Sequence, residues 1–163
     1  MDASALDRIA REHGDALSRV AWGYVSSAAD HDDLLQDILI AIWRALPRFR
    51  GDASERTFVF RIAHNRGCTF AASHREHETL NAESTIADPR PSPHDAAEQA
   101  QDRARLVAAV RTLPAAQRQA VLLRLEGFGI AEIAALQGTS ENNVSVRLTR
   151  ARELLRQQLG GDR

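Results

Sequence analysis

"AEIAALQGTSENNVSVRLTRARELL", residues 131–155, decides how the rest of the chain is read. A short apolar segment runs to Gly138, and glycine closes helices because it tolerates a left-handed backbone. Ser140 then offers a side-chain oxygen to the first turn of a new helix. Asn143, three residues on, completes only a partial capping pattern, since a full box carries Glu or Gln there. Two helices across a tight turn make a helix-turn-helix, whose second helix enters the major groove of DNA. At about 100° per residue, Val144, Leu148, Ala151 and Leu155 share the face that should pack on the first helix. Opposite them lie Asn142, Val146, Thr149, Arg150 and Glu153, flanked by Ser145 and Arg152 on one side and by Asn143 and Arg147 on the other. A solvated face gains nothing from a β-branched apolar residue at its centre, but a base-reading face can set one against a thymine methyl. The Asn, Ser, Thr and Arg around Val146 can donate to phosphates and base edges. The competing reading is a charged helix at a bundle edge, because single exposed apolar residues are common. Helix order, turn spacing and face chemistry together favour DNA binding.

Helical periodicity extends upstream through most of the chain, and no alternating strand pattern stands out. Residues 4–26 form a first helix, with Leu6, Ile9, Leu17, Val20 and Ala21 for its core. Residues 31–46 form a second, stopped by Pro47. The loop "PRFRGDAS" follows, with Gly51 as turn residue and Ser54 as N-cap of a third helix from about Glu55 to about Ser73. Residues 78–98 hold three prolines and an acidic excess, the texture of a linker. Helical pattern resumes at about Glu98, giving helices over 101–113, 115–127 and 130–138 and a terminal one from Glu141. The expected fold is all-α. Two small helical modules, residues 1–77 and 99–160, are joined by the flexible acidic linker 78–98.

Bulk properties fit a soluble globular protein. The chain has 163 residues, a formal net charge of −1 and no lysine, so no global basic field points to nucleic acid. One cysteine, Cys68, allows no internal disulfide, and neither a signal peptide nor a membrane-length apolar run is visible. These features predict a cytoplasmic protein without membrane insertion.

The second helix of the N-terminal module has two faces. Leu34, Leu35, Ile38, Ala41, Ile42 and Ala45 supply the core side. Asp33, Gln36, Asp37, Ile40 and Arg44 cluster on the other, an acidic patch around an exposed isoleucine that suits a basic partner surface. Dipole compensation at the helix start explains Asp30, Asp32 and Asp33 but not Asp37 beside Ile40. The loop "PRFRGDASERTF" combines arginines with aromatic rings, the chemistry that holds unpaired bases, and Arg61 and Asn65 continue that surface one turn apart. Taken alone, the loop reads more simply as a surface turn with Phe49 and Phe58 directed inward. His64 and Cys68, at i, i+4, invite a metal site with His74 and His77, but the spacing matches no compact ligand set. No metal or cofactor is expected, and no catalytic constellation is visible.

The stretch "DLLQDILIAIWRALPRFRGDASERTFVFRIAHN" resembles the second conserved region of the extracytoplasmic-function (ECF) group of sigma-70-type RNA polymerase sigma factors. "LPAAQRQAVLLRLEGFGIAEIAALQGTSENNVSVRLTRARELL" resembles their fourth region, which is also similar to the DNA-binding domain of LuxR-type regulators. The resemblance implies a bacterial transcription initiation factor that binds core RNA polymerase, through the β′ clamp helices and the β subunit, and promoter DNA. It assigns Asp33, Gln36, Asp37 and the neighbouring Ile40 to the β′ contact. Phe49, Arg50, Gly51, Asp52, Arg61 and Asn65 are assigned to opening the −10 element and capturing an unstacked base. The −35 element falls to Asn142, Asn143, Ser145, Val146, Thr149 and Arg150, with Arg147 and Arg152 on phosphates. An anti-sigma factor is a further implied partner. Ser145 stands where family members often carry Arg or a large residue. The run "RGCTFAASHREHE" is more neutral than the basic run usual there. Competing readings are a stand-alone LuxR-like regulator, which predicts a strand-containing sensor in front, and a polymerase-binding adaptor without initiation activity.

Overall fold

Seven α-helices and no strand occur among the residues that the structure, a computed structural model, describes: 3–78 and 94–160, with side chains for 4–75 and 97–160. The chain divides into two units, Met1–Ser84 and Thr85–Arg163.

In the first unit α1 (Ala3–Trp22), α2 (Ala28–Ala45) and α3 (Glu55–Glu78) pack around one core. The α2 stripe is buried as its periodicity predicts, with Leu34, Ile38 and Ile42 fully inside, each contributing about 1.5–3 kcal/mol of transfer free energy. Helix α1 is shorter than expected. Gly23 N shares the carbonyls of Arg19 and Val20, at 3.3 and 3.0 Å, and the chain then turns to bury Tyr24 and Val25. Helix α2 starts three residues ahead of expectation, because Ser27 Oγ accepts from Asp30 N at 3.1 Å. Pro47 lies in a 3-10 turn, Leu46–Arg48, that ends α2. Gly51 has the positive φ a turn residue needs, and Ser54 Oγ caps α3 through Thr57 N at 3.1 Å. Leu6 is only half-buried. Helix α3 runs to Glu78, past the expected Ser73.

In the second unit α4 (His94–Thr112), α5 (Ala115–Leu125), α6 (Ile130–Gln137) and α7 (Glu141–Gly160) form the helix-turn-helix and its support. Helix α4 begins at His94, so residues 94–98 of the expected linker are helical. Arg118 Nη2 donates to the Leu113 carbonyl at 3.2 Å across the α4–α5 turn. Glu132 Oε2 accepts from Gly129 N at 2.6 Å and fixes the start of α6. Gly138, at φ 63°, ends α6 in the left-handed conformation, and α7 begins three residues later.

Candidate nucleic-acid and polymerase-binding faces

Helix α7 divides as its wheel predicts. Val144 and Ala151 are fully buried and Leu148 and Leu155 half-buried, against α5 and α6. Asn142, Asn143, Ser145, Thr149, Arg150 and Arg152 are exposed, and Val146 stands 39% exposed in their midst. Ser140 Oγ accepts from Asn143 N at 3.1 Å, the expected half of a capping box. The Asn143 side chain turns away from the cap backbone, and its Nδ2 donates to Thr139 Oγ1 at 2.9 Å. Arg147 differs from its neighbours. It is half-buried, and its Nη1 donates to Gln137 Oε1 at 2.9 Å. The spacing of charges did not reveal that tie, because Gln137 lies across the turn on another helix.

On the first unit, Asp33 and Gln36 are exposed and Ile40 is 40% exposed on the outer face of α2. Asp37 is less free: its Oδ2 lies 3.8 Å from Arg66 Nε on α3. The loop after α2 presents Arg50, Gly51 and Asp52 to solvent. Phe49 is half-buried, its ring 4.6 Å from that of Phe58 at the start of α3. Helical spacing puts Phe58, Arg61 and Asn65 on one side of α3. Phe49 therefore rests on the same surface that carries the exposed Arg61 and Asn65. Phe58 is the residue here that the sequence reading left out of the site, and its pairing with Phe49 is the signal that includes it.

Of the four residues of the weighed metal site, the three with described side chains, His64, Cys68 and His74, do not converge. Tyr24 OH lies 2.7 Å from His64 Nδ1 and accepts from Cys68 Sγ at 3.8 Å, so a tyrosine stands where a shared metal would be needed. His64 is fully buried and burial pushes its imidazole down to about 3. His74 instead stacks on Phe70 and lies 3.4 Å from Asp30 Oδ1. The His77 side chain lies outside the described residues. Donor atoms of Glu12, His13 and Glu55 do approach one another within 4.8 Å. Arg8 occupies that group, with Nη1 at 3.1 Å from Glu12 and 2.7 Å from Glu55, and holds the Glu55 carboxyl below its usual range.

A helix-turn-helix whose last helix exposes polar and basic side chains around Val146, and a three-helix unit with an acidic face and an aromatic-arginine surface, define a two-module helical protein of the DNA-binding class. Residues 9–76 match the family model for Sigma-70 region 2, and residues 103–155 the model for Sigma-70, region 4. The ECF RNA polymerase sigma factor SigM of Mycobacterium tuberculosis is 31% identical over 160 residues, which cover 98% of this chain and 79% of SigM. The sigma factor CnrH of Cupriavidus metallidurans is 29% identical over 97% of this chain and 88% of its own. The chain belongs to the ECF group of sigma-70-type RNA polymerase sigma factors. The solved structure of CnrH in complex with the cytosolic domain of CnrY matches with a TM-score of 0.73 at 26% identity, over 99% of this chain and 92% of that one. RpoE from Bartonella quintana, solved with the anti-sigma factor NepR, shares the fold with a TM-score of 0.74 at 23% identity, over 99% of this chain and all of that one. Among the described residues no helix is long and apolar enough to cross a membrane.

Proposed function

We propose that this chain binds core RNA polymerase, directs it to specific promoters and helps open them, acting in the cytoplasm and contributing no bond chemistry of its own. The observation that carries this reading is the pairing, on one chain, of the Val146–Arg150 face of α7 with the acidic Ile40 face of α2. In this scheme Asp33, Gln36, Asp37 and Ile40 meet the β′ clamp helices. Phe49, Arg50, Gly51, Asp52, Arg61 and Asn65 engage the melted −10 element, and α7 reads the −35 duplex. Each module alone presents little surface. Tethered on the polymerase they act as one bivalent reader, whose fixed spacing adds selectivity. The domain limits that go with this scheme are residues 1–77 for the polymerase and −10 functions and 99–160 for −35 recognition. RpoE is solved with an anti-sigma factor, and a protein inhibitor of that kind is proposed for this chain.

The assignment is tested by exchanging the roles. Arg150→Ala should lower transcription and relax preference at one −35 base pair, a loss of about 1–3 kcal/mol for a bidentate contact. Asp33→Arg should weaken assembly with core polymerase equally at every promoter. Asp33 is the better probe than Asp37, whose carboxylate already leans on Arg66. Promoter-specific loss in Asp33→Arg, or uniform loss in Arg150→Ala, would overturn the map.

A further inference from the structure

Gln137 is the last residue of α6, directly before the left-handed Gly138 that turns the chain toward α7. Its amide ties α6 to two other helices. Nε2 donates to the Ala116 carbonyl at 2.9 Å and to Gln119 Oε1 at 3.2 Å, both on α5. Oε1 accepts from Arg147 Nη1 at 2.9 Å on α7. Turning the amide over would set its oxygen against the Ala116 carbonyl and its NH2 against a guanidinium, so its orientation is fixed from both ends. The remaining N–H groups of Arg147 have no partner among the described residues. Arg147 shares a side of α7 with the exposed Asn143 and Arg150, one turn away in either direction.

We propose that Gln137 is a positioning residue for promoter recognition, holding the Arg147 guanidinium ready to meet a backbone phosphate. The inference rests on α7 being the helix that reads DNA. A long arginine left free loses rotamer freedom when it binds, which costs roughly two- to tenfold in affinity. An arginine already held by an amide anchored on α5 has lost that freedom beforehand. The same amide ties the supporting helices to the reading helix, so phosphate contact and helix orientation are set together.

A double-mutant cycle tests this. The full chain is assembled with core RNA polymerase, and a duplex is selected from a randomised library by the wild-type complex. Affinity for that duplex is then measured across a salt series for wild type, Gln137→Met, Arg147→Met and the double variant. Gln137→Met should weaken binding roughly two- to tenfold. Arg147→Met should flatten the dependence of log affinity on log salt by roughly one unit, the loss of one phosphate contact. In the Arg147→Met background, Gln137→Met should cost nothing further. Equal cost in both backgrounds would mean a purely structural glutamine and overturns the inference. Should Gln137→Met fold poorly, Gln137→Glu keeps an acceptor for Arg147 while cancelling its charge, and must also flatten the salt dependence. An unchanged salt slope in that variant overturns the inference as well. If wild type selects no sequence, the DNA-reading proposal falls and this one with it. A selected sequence with equal costs removes this one alone.

Discussion

Gly67 admits no side chain, because a Cβ there would come within 2.4 Å of Tyr24 Cδ2. The tyrosine ring cannot retreat, since its hydroxyl is held at 2.7 Å from His64 Nδ1. Gly67→Ala should therefore destabilise the first unit by about 1–3 kcal/mol, the usual cost of overpacking. Both tryptophans of the chain, Trp22 and Trp43, lie in this unit, so fluorescence-detected urea unfolding reports on it directly. A wild-type midpoint would contradict the packing described. His64 adds a pH dependence. Its imidazole is held near 3 by burial against an ordinary 6.5, and its Nε2 has no hydrogen-bond partner among the described residues. Unfolding frees it to take up a proton, so its contribution is complete above about pH 6.5 and drains away as pH falls toward about 3. The slope for one proton is about 1.4 kcal/mol per pH unit. His64→Gln should flatten the decline in unfolding free energy between neutral and mildly acidic pH, and a decline of wild-type steepness would assign it to another group. The sequence placed His64 and Cys68 on one helix face but did not show what lies against them. The deciding group, Tyr24, comes from another part of the chain, and spacing along one helix carries no information about it.

At the scale of elements, the legible features were those with local causes. Ser54 and Ser140 cap the helices they were expected to cap, and Gly138 ends α6. The core stripes of α2 and α7 follow from periodicity alone. At the end of α1, which sequence reasoning placed too late, a tertiary contact was responsible. The apolar pattern continues past Trp22, but Tyr24 and Val25 are spent on the core of the turn instead of on another turn of α1. The Gln137–Arg147 tie was missed for the same reason. Both residues look like ordinary polar surface until the turn at Gly138 brings α6 against α7. Ser140→Ala offers an element-scale test. It removes the acceptor for Asn143 N and should cost about 1 kcal/mol. The loss should appear as faster amide exchange in the first turn of α7, where Asn142 and Asn143 stand, with little change in α1 to α3. Unchanged exchange would mean that tertiary packing alone holds that turn.

For the whole molecule, the proposed division of labour rests on how the faces are distributed. The first unit carries an acidic face around Ile40 and, after it in sequence, the Phe49–Phe58 pair with Arg61 and Asn65. The second carries a helix whose exposed side has a valine at its centre and arginines around it. The most direct test is transcription in vitro from a library of genomic fragments, with core RNA polymerase alone and with core plus the full chain, mapping the 5′ ends of the transcripts. The account predicts new start sites that share two upstream sequence elements at a fixed spacing, with Arg150→Ala altering preference only in the farther one. Identical start sites with and without the chain would contradict it.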